Sequence, residues 1–323
     1  MQVIALTASI LVIILLLGPR LEIDTTLKPV FVPDDLELHI EKSESKFNDI
    51  VPGSEKTIIW HSEKGQKTAF SVVSFHGFST SRQDIAPLVD EIAADFGANL
   101  FHTRLTGHGR GGLAMVDGSV NDWLNDANEA LEVGRRLGDS VILIGNSTGA
   151  TAATWLASIK TNTDIAAIIL LSPNFSPADP KTRMLLWPWG QQLAELVNGK
   201  ERYWEPHNQG HGQYWAHQYP TKAVLPVLGL VKLVNDADLE NINIPTMMIY
   251  SSKDKVISIP ALKRAFSRLP SAKNQLIEFN DTQDPSFHIL AGDILSPSST
   301  CLLYTSDAAD DLLCVDLGGR RII

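Results

Sequence analysis

The sequence has little cysteine and few basic residues, and each shortage excludes a class of function. The 323-residue chain has two cysteines, Cys301 and Cys314, and both lie near its end. The chain before them can therefore form no disulfide and no thiolate metal site. The 37 acidic residues of the whole chain outnumber its 27 lysines and arginines, which gives a formal net charge of −10 at pH 7. Because nucleic-acid recognition requires a basic surface, this balance argues against a nucleic-acid partner.

Long hydrophobic runs are equally scarce, and the one present lies at the N-terminus. Val3–Leu17 carries no charge and is followed by Gly18, Pro19 and Arg20. A membrane span requires about 17–25 residues, so this run is near the lower limit. We predict that residues 1–20 form an uncleaved membrane anchor, with the side of the membrane left open. The alternatives are a buried core helix or a cleaved signal peptide that would secrete the protein, although the basic n-region and cleavage site of a signal peptide are missing.

The C-terminal segment, residues 301–323, reads CLLYTSDAADDLLCVDLGGRRII. It resembles a translated sequencing adapter of the transposase type. One reading frame of that adapter encodes Cys301–Asp310 and Val315–Ile323, and Asp311–Cys314 would correspond to its index. The alternative is a genuine acidic tail. We therefore predict that residues 300–323 are a non-native tail.

Between the two ends, apolar runs rich in β-branched residues alternate with amphipathic helical patterns. Residues 21–54 are predicted to be a linker with a leading helix, and residues 55–299 the domain itself. The predicted strands are 57–61, 69–75, 98–103, 141–145, 165–172, 244–251 and 275–279. The predicted helices are 33–47, 85–96, 121–137, 150–159 and 261–269. This alternation predicts an α/β fold with a mostly parallel central sheet flanked by helices on both faces.

The segment 179–238 interrupts the alternation. It contains four tryptophans, Trp187, Trp189, Trp204 and Trp215, together with several tyrosines and histidines. An insertion of this length between two strands is usually functional. We predict a helical lid whose tryptophans contact the substrate.

A sequence motif for a nucleophile lies in the middle of the chain. Gly145-Asn146-Ser147-Thr148-Gly149 matches G-x-S-x-G and stands between a predicted strand and a predicted helix. That context is the one a nucleophile elbow requires, because the sharp turn lifts the serine hydroxyl above the sheet. The flanking glycines suit a turn too tight for side chains. We predict Ser147 as the nucleophile.

A serine nucleophile needs a base, and the base needs an orienting acid. After an elbow of this kind the acid and then the histidine follow in chain order. Asp254 follows the strand 244–251 at its carboxyl end, and His288 lies in the loop after the last strand. We predict these two residues as acid and base. The rival acids are Asp236, Asp238, Asp281 and Asp284.

Two backbone N–H groups are expected to form an oxyanion hole. Thr148 supplies one, because it directly follows the nucleophile. Phe78 is the expected second donor, since it lies in the loop after the strand 69–75, where Gly77 lets the backbone approach. His76 precedes Ser147 in the chain and is expected to buttress this loop.

Five motifs together resemble the α/β-hydrolases related to monoacylglycerol lipases and to serine-aminopeptidase-like hydrolases. They are HGFSTSR (76–82), RLTGHGR (104–110), GNSTG (145–149), SSKDKVIS (251–258) and FHILAGDILSP (287–297). The resemblance covers about residues 55–297. It implies an α/β-hydrolase fold, the triad of the preceding motifs and a lidded acyl site. The family's final helix is missing where the adapter-like tail begins.

These observations predict a serine hydrolase that cleaves carboxylic esters through an acyl-enzyme. The aromatic lid and the predicted anchor favour an apolar acyl group, such as that of a lipid monoester. The expected partners are a small-molecule acyl ester and a membrane, and no cofactor or metal is implied. Two alternatives remain: an amide or peptide hydrolase, and a non-catalytic α/β-hydrolase scaffold used for binding.

Overall fold

The computed structural model describes residues 16–159 and 161–297. The strands in this part of the chain are β1 (Thr57–Ile59), β2 (Thr68–Phe75), β3 (Asn99–His102), β4 (Gly138–Asn146), β5 (Ile165–Leu171), β6 (Glu201–Tyr203), β7 (Gln218–Pro220), β8 (Thr246–Tyr250) and β9 (Gln275–Glu278). The α-helices are α1 (Leu36–Glu44), α2 (Leu88–Asp95), α3 (Val120–Leu137), α4 (Thr148–Ser158), α5 (Gly190–Asn198), α6 (Gln209–Tyr214), α7 (Leu225–Asp236) and α8 (Ile259–Phe266).

Seven strands form one sheet in the order β1-β3-β2-β4-β5-β8-β9, and β6 and β7 form a separate hairpin. β1 pairs antiparallel with β3, whereas the other neighbours in the large sheet are parallel. The predicted α/β fold with a mostly parallel sheet is therefore confirmed. The strand order reverses between β2 and β4. In open α/β sheets the ligand crevice lies beyond the carboxyl ends of the strands at such a point.

The core occupies both faces of the sheet, because alternate residues of each strand point to opposite sides. Val73 and Leu143 belong to the cluster covered by α1, α3, α4, α7 and α8. Val72 and Ile142 belong to a second cluster on the opposite face, which is covered by α2 together with residues 290–291. Burial on both faces explains why the central strands are almost uniformly apolar.

The predicted elements are confirmed in type and order, with small shifts at their ends. α1 begins at Leu36 rather than at the predicted Pro33, because Asp35 caps it by accepting the Leu38 N–H at 3.0 Å. β4 begins at Gly138, before the predicted start, because that residue pairs with Thr68 of β2. A local cap therefore sets the start of α1, and a pairing partner in another strand sets the start of β4.

The segment predicted to be a linker and leading helix lies against the domain. Asn121 of α3 donates its side-chain amide to the carbonyls of Asp24 (3.2 Å) and Thr26 (2.9 Å). Glu44, at the end of α1, accepts two hydrogen bonds from the Arg104 guanidinium, at 2.9 and 2.8 Å. Such a two-pronged contact fixes orientation as well as distance. Arg104 belongs to the RLTGHGR motif, which here joins α1 to the sheet.

Residues 179–238, predicted to be a helical lid, contain helices and also a β-hairpin. α5, the β6–β7 hairpin and α6 form its first part. The last part, α7, lies in the core, where Leu230 and Val234 are fully buried. A Cβ added to Gly229 would lie 2.6 Å from a Val120 methyl, so α7 is in close contact with α3. The part before α7 contributes no residue to the two clusters on the faces of the sheet.

The prediction of a membrane-anchored protein is contradicted. Among residues 16–159 and 161–297, no helix combines the length and the apolar character that a bilayer span requires. Where the described chain begins, it already contacts the domain, since the Pro19 carbonyl accepts the Trp189 N–H at 2.8 Å. Most of the predicted anchor, residues 1–15, and the predicted non-native tail lie outside the described residues.

Candidate active site

Three predicted site residues meet at the carboxyl ends of the parallel strands. Ser147 follows β4, Asp254 follows β8 and His288 follows β9. The Ser147 hydroxyl oxygen lies 2.9 Å from His288 Nε2, and His288 Nδ1 lies 2.8 Å from Asp254 Oδ2. Because a carboxylate can only accept, Nδ1 carries the imidazole proton and Nε2 is left to accept the serine hydroxyl. The geometry permits proton transfer from Ser147 to His288.

The turn at Ser147 is strained and tightly packed. Its φ is 50° and its ψ is −113°, a region that residues other than glycine rarely adopt. A Cβ on Gly145 would lie 2.6 Å from the Ala150 Cα, and a Cβ on Gly149 would lie 2.3 Å from the Phe75 carbonyl oxygen. Both glycines are therefore required by close backbone approach, as in a nucleophile elbow.

Asp254 is held by its own loop as well as by the imidazole. Its Oδ1 accepts the backbone N–H groups of Val256 (2.7 Å) and Ile257 (3.1 Å), and its Oδ2 faces His288. The Asp254 side chain has no exposed surface. Each carboxylate oxygen thus has its own donors, which fixes the plane of the carboxylate and orients the imidazole.

The rival acid Asp284 serves the same histidine in a different way. Its Oδ2 accepts the backbone N–H groups of His288 (3.0 Å) and Ile289 (2.8 Å), and its Oδ1 accepts the Ser286 N–H (3.0 Å). Asp284 therefore holds the backbone of His288, whereas Asp254 holds its ring. Another rival, Asp236, lies on α7 and pairs with Lys232 one turn earlier.

Sequence reasoning missed a second support of the histidine. Ser172 directly follows β5 and has a positive φ of 42°. Its hydroxyl donates to the His288 carbonyl at 2.7 Å. A serine directly after a buried strand that adjoins β4 was the available signal, because it lies at the carboxyl edge of the sheet where site residues collect.

The two predicted oxyanion donors lie on backbone that borders Ser147. Thr148 is the first residue of α4, so its N–H has no partner within the helix. Phe78 follows Gly77, and a Cβ on Gly77 would lie 3.4 Å from the Ser147 Cβ. The loop after β2 therefore packs directly beside Ser147.

His76 connects this loop to the RLTGHGR segment. Its Nε2 accepts the Leu105 N–H at 3.0 Å, so its Nδ1 carries the proton and donates to the Gly77 carbonyl at 2.8 Å. Burial lowers the pKa of His76 to about 4. The imidazole is therefore neutral near pH 7, and both of its nitrogens are engaged in holding the loop.

Two of the four predicted substrate-binding tryptophans lie beside the histidine loop. Trp215 is buried and packs with Ile289 and Leu295, which follow His288 in the chain. Trp204 packs against the same cluster and stacks on His211, with ring centroids 4.5 Å apart. Burial lowers the pKa of His211 to about 4, so this stack is uncharged near neutral pH.

The other two tryptophans are placed elsewhere by their contacts. Trp187 is 60% exposed. The backbone of Trp189 hydrogen-bonds Pro19, and its indole lies against Gly18. These contacts associate Trp189 with the start of the described chain, and a substrate-binding role for either tryptophan stays a prediction.

A second apolar group lies on the oxyanion side of Ser147. The Phe78 ring makes edge-to-face contacts with Tyr219 and Trp123, at centroid distances of 5.5 and 6.2 Å. Met115 and Ala223 belong to the same cluster. Tyr219 comes from β7, so the hairpin of the inserted segment packs on the loop that carries the predicted oxyanion donor.

Comparison with known families agrees with this geometry. Residues 66–283 match the hydrolase family described as serine aminopeptidase, S33. The match spans more than half of the chain, so the chain belongs to this family, and the protein is a serine hydrolase. The matched range includes Ser147 and Asp254 and ends before His288. No curated protein matches the sequence.

Solved structures of similar fold include several lipolytic enzymes. One, from work on the metagenome-derived lipolytic enzymes LipS and LipT, is 19% identical, with a TM-score of 0.63 and coverage of 80% of this chain and 98% of the other. A soluble variant of the monoglyceride lipase from Saccharomyces cerevisiae is 12% identical, with a TM-score of 0.60 and coverage of 92% and 96%. The monoacylglycerol lipase of Paleococcus ferrophilus is 17% identical, with a TM-score of 0.52 and coverage of 73% and 90%. At these identities the likeness establishes the α/β-hydrolase fold alone.

Proposed function

We propose that this protein is a carboxylic-ester hydrolase that acts on apolar acyl esters, such as lipid monoesters, through Ser147, His288 and Asp254. The observation that carries the proposal is the unbroken hydrogen-bonded chain from the Ser147 hydroxyl through both imidazole nitrogens to Asp254. It lies at a strained strand-to-helix turn, where a serine hydroxyl is presented to a substrate.

In the proposed reaction the Ser147 oxygen attacks the acyl carbonyl while His288 Nε2 takes the hydroxyl proton. Asp254 stabilises the resulting imidazolium and keeps its orientation. The Phe78 and Thr148 N–H groups donate to the oxyanion of the tetrahedral intermediate. His288 then returns the proton to the leaving alcohol, and a water molecule repeats the sequence to release the acid from Ser147.

The preference for an apolar acyl group is supported by the two apolar clusters that flank the triad. One contains Phe78 and Tyr219 on the oxyanion side, and the other contains Trp215 and Ile289 beside His288. Burying an acyl chain against such surfaces contributes about 0.8 kcal/mol per methylene at most. The names of the solved lipases are consistent with the same preference.

Amide or peptide hydrolysis is the second candidate, because the matched family is described as serine aminopeptidase. An aminopeptidase must bind a substrate ammonium close to the scissile bond. Three carboxylates that contact the triad loops, Asp84, Asp254 and Asp284, each accept hydrogen bonds from at least two protein donors. Their engagement favours the ester over the aminoacyl substrate.

The test compares wild type with Ser147→Ala on p-nitrophenyl esters and on aminoacyl p-nitroanilides, after labelling with a fluorophosphonate probe. Wild type should label and should hydrolyse the esters, whereas Ser147→Ala should do neither. The kcat/KM value should rise as the acyl chain lengthens from two to about eight carbons, by up to about fourfold per methylene. A preference for acetyl esters would refute the apolar acyl site, and faster anilide cleavage would favour the peptidase. Absence of labelling would support a non-catalytic scaffold.

A further inference from the structure

A buried carboxylate outside the proposed triad joins the two loops that carry the oxyanion donors. Asp84 ends a short 3-10 turn, and only 1% of its surface is exposed. Its Oδ2 accepts the Gly77 N–H at 2.8 Å and the Asn146 side-chain amide at 2.8 Å. Gly77 directly precedes Phe78, and Asn146 directly precedes Ser147. A single oxygen atom therefore holds the loop after β2 to the nucleophile elbow.

We propose that Asp84 is a positioning residue that fixes the Phe78 N–H relative to Ser147 and so sets how well the oxyanion is stabilised. This inference rests on the proposed function, because it assigns Asp84 a part in the same reaction. A Cβ on Gly77 would lie 3.4 Å from Asp84 Oδ2, from Asn146 Nδ2 and from the Ser147 Cβ. The loop and the elbow are thus in direct contact around this carboxylate.

The turn that carries Asp84 also contacts the chain after the catalytic histidine. A Cβ on Gly292 would lie 2.5 Å from the Asp84 carbonyl oxygen, and Gly292 has a φ of +109°. The Asp293 N–H donates to the Ala86 carbonyl at 3.0 Å. Asp84 therefore lies where the oxyanion loop, the elbow and the histidine loop meet. A shift of its turn would displace all three segments.

The pattern of hydrogen bonds at Asp84 indicates which substitutions separate positioning from charge. Both donors converge on Oδ2, and within the described chain Oδ1 has no hydrogen-bond partner. An asparagine can place its carbonyl oxygen where Oδ2 lies and keep both bonds, with its NH2 at the Oδ1 position. An alanine keeps neither. Asp84→Asn should preserve the position of Phe78, and Asp84→Ala should release it.

The experiment measures kcat, KM and the rate of fluorophosphonate labelling for wild type, Asp84→Asn and Asp84→Ala, with inhibition by an alkyl boronic acid as a mimic of the tetrahedral adduct. In Asp84→Ala, kcat and the labelling rate should fall by about 10- to 100-fold, because a shift of 1 Å at a reacting centre costs about that much. The boronate Ki should rise by a similar factor, while KM stays within about threefold. Asp84→Asn should stay within about threefold of wild type in every quantity.

Asp35→Ala is the control. Asp35 is another aspartate that accepts a backbone N–H, that of Leu38 at 3.0 Å, and it lies at the start of α1, away from the elbow and the loop after β2. It should leave the labelling rate of correctly folded protein unchanged. If Asp84→Ala does not fold, Asn146→Ala removes one of the two bonds and should give a smaller loss of the same kind.

Two outcomes would overturn the inference: folded Asp84→Ala that labels at the wild-type rate, or Asp84→Asn that loses as much as Asp84→Ala. Labelling needs no ester substrate, so it distinguishes this result from failure of the proposed function. A wild-type protein that labels at Ser147 but cleaves no ester would refute the ester hydrolase and would leave the labelling comparison as the test of Asp84.

Discussion

Asp254→Asn tests how the proposed triad works, and the structure dictates what the new side chain must do. Oδ1 of Asp254 accepts the N–H groups of Val256 and Ile257, whereas Oδ2 faces His288 Nδ1. The asparagine oxygen must stay with the two backbone donors, because an NH2 group cannot accept from them. The NH2 group then faces Nδ1 and requires His288 to carry its proton on Nε2. In that tautomer His288 cannot accept the Ser147 proton.

The expected cost follows from this change of tautomer. In chymotrypsin-like proteases the equivalent substitution lowers kcat by about 10⁴, or about 5.5 kcal/mol of transition-state stabilisation. We expect a loss of about 10³ to 10⁴ here, because the same proton transfer is blocked. Stability should change by only about 1 kcal/mol, since both backbone hydrogen bonds to Asp254 are retained. A large catalytic loss with a small structural cost is the signature of an orienting acid.

The assay is steady-state and burst kinetics on a p-nitrophenyl ester, with the active sites counted by fluorophosphonate titration. Asp284→Asn is the control, because Asp284 accepts N–H groups of His288, Ile289 and Ser286 and makes no contact with the ring. It should lose about 1–3 kcal/mol of stability, since one of its oxygens becomes a donor facing a donor, and less than about tenfold in kcat. The reasoning is refuted if Asp284→Asn loses 1000-fold or so while Asp254→Asn keeps most of its activity.

Three further predictions concern packing, pH and the C-terminus. Gly149→Ala, whose Cβ would lie 2.3 Å from the Phe75 carbonyl oxygen, should destabilise the protein by about 1–3 kcal/mol in urea unfolding, whereas Gly111→Ala meets no atom within 4 Å and should cost less. Burial raises the pKa of Asp84 to about 7 from 3.8, so the native state holds one more proton than the unfolded chain between these values, and its stability falls as the pH rises through this window. The free energy of unfolding of Asp84→Asn, relative to that of wild type, should therefore rise by up to about 4 kcal/mol between pH 4 and 7. A difference between the two proteins that does not change with pH would contradict the raised pKa. Deletion of residues 301–323 should leave kcat/KM unchanged, and loss of folding would show that the segment is native.

The strand-to-helix turn at Ser147 could be predicted from the sequence because its determinants are local. The G-x-S-x-G pattern, the apolar strand before it and the alanine-rich helix after it lie within one short stretch. The two glycines of the motif indicate that other backbone segments come close. In the structure the Phe75 carbonyl lies where a side chain on Gly149 would be, and the Ala150 backbone lies where a side chain on Gly145 would be. The alternation of strands and helices could be predicted for the same reason, since the spacing of apolar residues within each run indicates whether it forms a strand or a helix.

Features that depend on contacts between distant segments could not be predicted in this way. Asp84 is separated by 62 residues from its partner Asn146, and a single aspartate in a turn shows no pattern. The same limit applies to Ser172, whose hydroxyl reaches His288 from 116 residues away. The predicted membrane anchor is a separate case: among the residues that the structure describes, no helix is long and apolar enough to span a bilayer.

The proposed roles of Asp84, Asp254 and Asp284 differ because different groups donate hydrogen bonds to each of them. Asp254 accepts from an imidazole N–H, so it controls a tautomer and an orientation. Asp284 accepts the backbone N–H of His288, so it holds the backbone position of the histidine. Asp84 accepts from Gly77 in the loop after β2 and from Asn146 at the elbow, so in the proposed mechanism it sets the distance between the Ser147 oxygen and the Phe78 N–H. All three residues are aspartates whose side chains have little or no exposed surface. Their proposed roles can therefore be separated only by measurements that respond to the ring tautomer, to loop stability and to oxyanion affinity in turn.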